Sequence, residues 1–229
     1  ADEFRTNAGS LIRTTHASGI VGMAPSGTRN FNTASIYEFY GTNQNTGFNT
    51  VPAITTAAQV IMNLSGTLTN TSASFTINSA LTLTSGTFNL GAANIINLGI
   101  GATVTSTASN FIVGANAGTL NFIGSGTFTG IANPYNVYIN GGVNFGAGIN
   151  ATTIQSGGTL RINAGGFVTT SAPFYNSNST LQYFTGATYG RSLEWSAASG
   201  RGYPGHVQVS NITILNPGSG GNTGLVLNA

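Results

Sequence analysis

The stretch "SGTLTNTSASFTINSALTLTSGTFNL", Ser65 to Leu90, opens on "SGTLTN" (65–70) and closes on "SGTFNL" (85–90). Each copy carries Ser, Gly, Thr and then an apolar residue, and Gly66 and Gly86 lie 20 positions apart (86 minus 66). Between the copies, "SFTI" (74–77) and "ALTL" (80–83) alternate apolar residues with Thr and Ser. That alternation is the period of a strand with one buried face. One repeat thus holds about three short strands joined by Gly, Ser and Asn, residues that tolerate tight turns.

Outward from this stretch the signature recurs as "AGTLNF" (117–122), "SGTFTG" (125–130) and "GGTLRI" (157–162), and Gly126, Gly142 and Gly158 fall 16 apart. Further strand-like runs are "QVIMNL" (59–64), "NIINL" (94–98), "NFIV" (110–113), "TLNFI" (119–123), "NVYI" (136–139), "HVQV" (206–209), "NITIL" (211–215) and "GLVL" (224–227). No window shows apolar recurrence at helical spacing. Repeats of this size, each unable to bury its own apolar face, predict a solenoid. The expectation is an all-β, right-handed parallel β-helix of roughly 20 residues per coil, each rising about 4.8 Å. Alternate residues of each run point inward, and stacked Asn and Thr form hydrogen-bonded ladders. Residues 1–57 are read as an N-terminal β segment or first coils, and 58–229 as the repeat region. The alternative is an array of β-sandwiches, whose strands run longer and whose turns repeat less regularly.

Composition narrows the function classes. Only 4% of residues are charged, with 6 Arg, no Lys and 4 acids, against about 25% in an ordinary soluble domain. Six dispersed arginines do not make the clustered cation patch that nucleic acid binding requires. Cysteine is absent, which removes disulfides and thiol chemistry together. No apolar run is long enough for a membrane-spanning helix. "ADEFRTNAGS" (1–10) lacks the basic and apolar regions of a signal peptide, and "GLVLNA" (224–229) stops within a strand-like pattern. Both ends suit a piece of a longer protein, with further coils or another subunit stacked on Leu225–Leu227.

Chemistry-bearing residues are sparse. Beyond Asp2 and Glu3 the only carboxylates are Glu38 and Glu194, and His16 and His206 stand apart from each other. Neither paired-acid catalysis nor a metal site finds its ligand set, so no catalytic residue, metal or cofactor is expected. The one dense segment is "ATYGRSLEWSAASGRGYPGHVQV", Ala187 to Val209, with Arg191, Glu194, Arg201 and the single tryptophan, Trp195. Read structurally, it is a loop insertion near 187–205 docked on the solenoid. Trp195 is buried, and Glu194 lies within salt-bridge reach of Arg191 or Arg201. Read functionally, Tyr189, Trp195 and Tyr203 form an aromatic platform for sugar rings. Ice binding, which uses flat rows of Thr, finds irregular Thr spacing and no sustained T-x-T column.

Tyr189-Gly190-Arg191, Glu194-Trp195-Ser196, Ser199-Gly200, Gly202-Tyr203-Pro204 and His206 to Asn211 resemble a signature of large β-strand-repeat surface proteins of Bacteroidota. Those proteins are exported by the type IX secretion system, and many are adhesins or gliding-related. "YEFYGTNQNTG" (37–47) resembles a second element of that group, and "SGTFNLGAANIINLGIGATV" (85–104) its repeat body. The resemblance implies an extracellular, cell-surface location and a non-enzymatic role as a rigid rod or filament segment. Its partners would be neighbouring coils or subunits of the same protein and, at the surface, glycans or cells. A polysaccharide-binding or polysaccharide-processing β-helix is the main alternative.

Overall fold

The computed structural model describes residues 3–23, 28–49, 52–107, 111–112, 118–148, 151–195 and 199–216. The chain is nearly all β, a parallel solenoid of about 8 turns. Its one α-helix among the described residues is the single turn Ile20–Met23. Every paired strand runs parallel to its neighbour, so face-packed antiparallel sheets are ruled out. The runs at 110–113 and 224–227, with Leu225–Leu227, lie wholly or partly outside the described residues.

Each coil has up to three sides. Face A stacks the first part of Ser74–Asn89 on Ile95–Leu98, Thr119–Phe122, Asn136–Ile139, Thr159–Asn163, Thr180–Phe184 and His206–Val209. Face B runs from Leu11–Thr14 and Ile36–Gly41 through the long strands Thr56–Thr69 and Ser74–Asn89. It continues in Ala102–Ser106, Gly126–Gly130, Gly142–Asn144 and Phe167–Val168. Face C is shorter, with Gln44–Asn45, the ends of both long strands, Thr153–Ile154 and Phe174–Tyr175. Ser74–Asn89 shows how one strand serves more than one side. Alternation holds through Ile77, two exposed residues follow at Asn78 and Ser79, and Leu81 points inward again. Inward parity is kept across the corner, and the strand takes one extra residue there relative to Thr56–Thr69, the register shifting between Ala57–Ile77 and Gln59–Ala80.

The interior is a set of apolar columns. Phe75, Ile96, Leu120, Val137, Leu160 and Leu181 stack in register on face A, all buried. Burying one such side chain contributes about 1.5–3 kcal/mol, so each coil adds a modest increment that depends on its neighbours. Aromatic rings fill the wider parts, with Phe48 stacked on Phe75 at 4.1 Å and Phe128 on Phe145 at 5.3 Å. Close stacking also dictates residue type at corners. A Cβ on Gly141 would sit 2.5 Å from the backbone carbon of Gly124, so that corner admits glycine alone.

Coil length is not fixed. Equivalent outward positions on face A are 76, 97, 121, 138, 161, 182 and 208. The shortest step is 17 residues (138 minus 121) and the longest 26 (208 minus 182). Gly66 and Gly86 are indeed equivalent, one residue before the paired Thr67 and Thr87. The 16-residue spacing of Gly126, Gly142 and Gly158 is not a coil period. Gly126 pairs with Val143 on face B, whereas Gly158 is a turn residue leading into face A.

Polar residues on the outer surface bond along the stack. Asn121 Nδ2 donates to Asn97 Oδ1 at 2.8 Å, and Asn140 Nδ2 to Asn121 Oδ1 at 2.9 Å. Gln182 Nε2 donates to Gln208 Oε1 at 2.9 Å. These ladders supply lateral cohesion where ion pairs are scarce. Register also creates what spacing hides: Thr82, Thr105 and Thr129 form one outward column on face B, and Thr103 and Thr127 a second beside it. The T-x-T pattern absent at any fixed period is therefore present as a short patch.

Candidate functional site

The strand Thr188–Gly190 pairs in parallel with Ile214–Asn216, so the coil continues past Ala187 and the insertion proper spans 191–205. It begins with a 3-10 turn, Leu193–Trp195, whose geometry drives Glu194 inward. Glu194 is 0% exposed. Its Oε1 accepts hydrogen bonds from the Ser192 N–H at 2.8 Å and the Tyr183 O–H at 3.2 Å, and its carbonyl accepts from the Tyr175 O–H at 3.0 Å. Oε2 is buried without a hydrogen-bond partner among the described residues.

The electrostatics follow from this burial. Desolvation raises the Glu194 pKa above its ordinary value, opposed by the Ser192 and Glu194 N–H groups, the Tyr183 hydroxyl and the charge of Arg191. Tyr175, Tyr183 and Tyr189 are all held above the ordinary tyrosine value, first by burial and then by the charge of Glu194. Such a carboxyl is placed to anchor the turn. It is fully buried, and Oε1 takes its hydrogen bonds from the protein.

The two arginines take different roles. Arg191 acts on Glu194 through its charge, and its Nη1 donates to the Trp195 carbonyl. Arg201 does not pair with Glu194. Its Nη1 donates to the carbonyls of Gly146 at 2.7 Å and Ala172 at 3.1 Å, its Nη2 to that of Gly148, and it lies over the Phe174 ring at 5.1 Å. Turn carbonyls left open by the coil take up this cation, so Arg201 ties the far side of the loop to the solenoid. Gly202 N–H adds a bond to the Pro173 carbonyl at 3.0 Å.

Trp195 and Tyr189 are half-buried and pack against the core. The Trp195 Nε1 is sealed from water without a hydrogen-bond partner among the described residues, and the buried Tyr189 hydroxyl interacts with the Glu194 carboxyl. Tyr203 is half-buried in the returning arm. Tyr175 and Tyr183, at 6% and 0% exposure, belong to the core. The segment places its aromatic rings as anchors, with their polar atoms turned inward.

Elsewhere the chemistry is scattered. Glu38 lies across the stack from Arg13, their strands in register, and accepts from Arg13 Nε at 2.7 Å. His16 Nδ1 accepts from the Ser18 N–H, and His206 is exposed on the outermost described strand of face A. Among the described residues no three His, Asp or Glu side chains stand together as a metal site. Two shallow pockets of about 220 and 370 Å³ lie near the N-terminal end, and neither is lined by an acid.

Sequence reading passed over Arg161. It is the only charged side chain between Glu38 and Arg191, and that isolation was the available signal. It sits in the outward row of face A between Tyr138 and Gln182. No protein-family model, curated protein or solved structure matches the chain.

Proposed function

We infer that the chain is a non-enzymatic, rod-like segment of an extracellular adhesin or filament, displayed at a cell surface. The observation that carries this reading is the single connected parallel sheet that runs from Leu11–Thr14 to His206–Val209. Eight or so turns at about 4.8 Å span about 40 Å, a stiff element with side-chain hydrogen bonds running along parts of its outer surface. Export through the type IX route and a role in gliding or adhesion belong to the same proposal, through the resemblance of 187–211. The described carboxylates are engaged in structural contacts, Glu38 with Arg13 and Glu194 beneath the loop. The test has two arms. Beads coated with the chain should adhere to cell surfaces, and incubation with a polysaccharide panel should release no reducing or unsaturated sugar. Sugar release that Glu194→Gln abolishes would replace this reading with an enzymatic one.

One observation favours a second reading. The outward threonines of face B form a flat hydroxyl patch, two residues wide along the strand and two to three rungs deep. A regular array of this kind orders water and fits an ice surface. Thermal hysteresis in solution, lost in Thr105→Leu, would favour it over the adhesin.

A further inference from the structure

Among the described residues no acid pairs with Arg161. Of the four acids in the chain, Asp2 and Glu3 belong to the first three residues, Glu38 bonds to Arg13, and Glu194 is sealed beneath the loop. The guanidinium of Arg161 is nonetheless held in place. It lies over the Tyr138 ring at 4.2 Å and the Phe184 ring at 4.7 Å, and its Nε donates to Gln182 Oε1 at 2.5 Å. Its Nη groups have no hydrogen-bond partner among the described residues and are not buried. Stacking on two rings fixes the plane of the fork, so little conformational freedom remains to be lost when an anion binds.

The surroundings match a polymer better than a small ion. Asn121, Tyr138, Arg161, Gln182 and Gln208 form one outward row in register. The rungs repeat at about 4.8 Å, close to the length of one sugar unit. A glycan chain lying along the rod would meet the Tyr138 ring, the Arg161 fork and, two rungs on, the exposed Gln208 amide, with Gln182 buried between and bonded to both. A planar guanidinium takes a carboxylate or a sulfate through two parallel N–H bonds.

We propose that face A around Arg161 binds an acidic polysaccharide, the guanidinium holding a carboxylate or sulfate and the exposed Gln208 amide holding a hydroxyl two rungs away. This rests on the reading of the chain as a surface-contact rod and names its ligand and site. The experiment is affinity electrophoresis of the full chain in gels containing alginate, dextran sulfate or neutral dextran. It compares wild type with Arg161→Gln, Arg161→Lys and Arg5→Gln, the last removing the same charge from the first strand, Glu3–Arg5. Wild type should be retarded by alginate, by dextran sulfate or by both, but not by dextran, and the pattern distinguishes carboxylate from sulfate. Arg161→Gln should weaken retardation by about tenfold or more and Arg161→Lys by about threefold, with Arg5→Gln unchanged. If Arg161→Gln does not fold, Arg161→Lys carries the result, and its matching wild type would overturn the proposal. Absence of retardation, equal retardation by dextran, or an equal loss in Arg5→Gln would also overturn it. Those results leave the rod reading standing, since bead adherence and sugar release test that separately.

Discussion

The body of the solenoid and the loop at 191–205 solve the same problem by opposite means. From Phe39 to Gly190 the chain carries one charged side chain and is held by repetition. Apolar columns run inside, amide and hydroxyl ladders run outside, and each coil is supported by the next. The loop has no copy of itself to stack on. It is held by single anchors: Trp195 against the core, Glu194 among the tyrosines, and Arg201 on three turn carbonyls. Repetition spreads stability over many small increments, whereas anchoring concentrates it in a few residues. A charged, aromatic-rich segment in an otherwise neutral chain can therefore be structural.

This contrast can be broken in the body first. Leu160→Ala removes a fully buried side chain from a central column, and chemical denaturation should show a loss of about 3–5 kcal/mol. Trp195→Ala should cost less, about 2–3 kcal/mol, because the ring is half-buried and the full value belongs to closed cores. A Trp195→Ala chain as stable as wild type would mean that the loop is not anchored there.

Glu194 sharpens the comparison through pH. Its carboxyl is more basic in the folded chain than its ordinary value of 4.5 because burial disfavours the charge. The folded state therefore binds the proton more tightly than the unfolded chain. Its contribution to stability is most favourable at low pH and declines as pH rises from about 4.5 towards the raised value. Glu194→Gln should remove that decline from the melting profile and keep an acceptor for the Ser192 and Tyr183 donors. An unchanged pH slope would contradict the burial of the carboxyl.

The ladders should show the smallest effects. Asn121→Ala removes the middle of the Asn97–Asn121–Asn140 chain of hydrogen bonds and should cost about 1 kcal/mol. Glu38→Gln, which breaks the pair with the 60% exposed Arg13 side chain, should cost about 0.2–1 kcal/mol. Larger losses at either site would mean that surface ladders, and not the apolar columns, hold the body together.

Much of the fold was legible because strand alternation and the equivalent Gly66 and Gly86 express it directly. Coil register was not legible throughout. Coils from 17 to 26 residues long leave no fixed period, so the coincidental 16-residue spacing of Gly126, Gly142 and Gly158 looks like a repeat while the aligned threonines of face B do not. The docking of the loop could be read from Trp195, whose large apolar ring favours burial. The partner of Arg201 could not, because backbone carbonyls leave no mark in a sequence. The depth of Glu194 was equally hidden, since its enclosure is supplied by Tyr175 and Tyr183 from two preceding strands.

The division between a functional body and an anchored loop can be tested with one paired measurement: melting temperature and retardation by acidic polysaccharide, taken together on Trp195→Ala and Arg161→Gln. Trp195→Ala should melt earlier and, while still folded, be retarded like wild type. Arg161→Gln should melt like wild type and lose retardation. The reverse pattern, with retardation lost in a stable Trp195→Ala chain and kept in Arg161→Gln, would place binding in the loop and contradict the account.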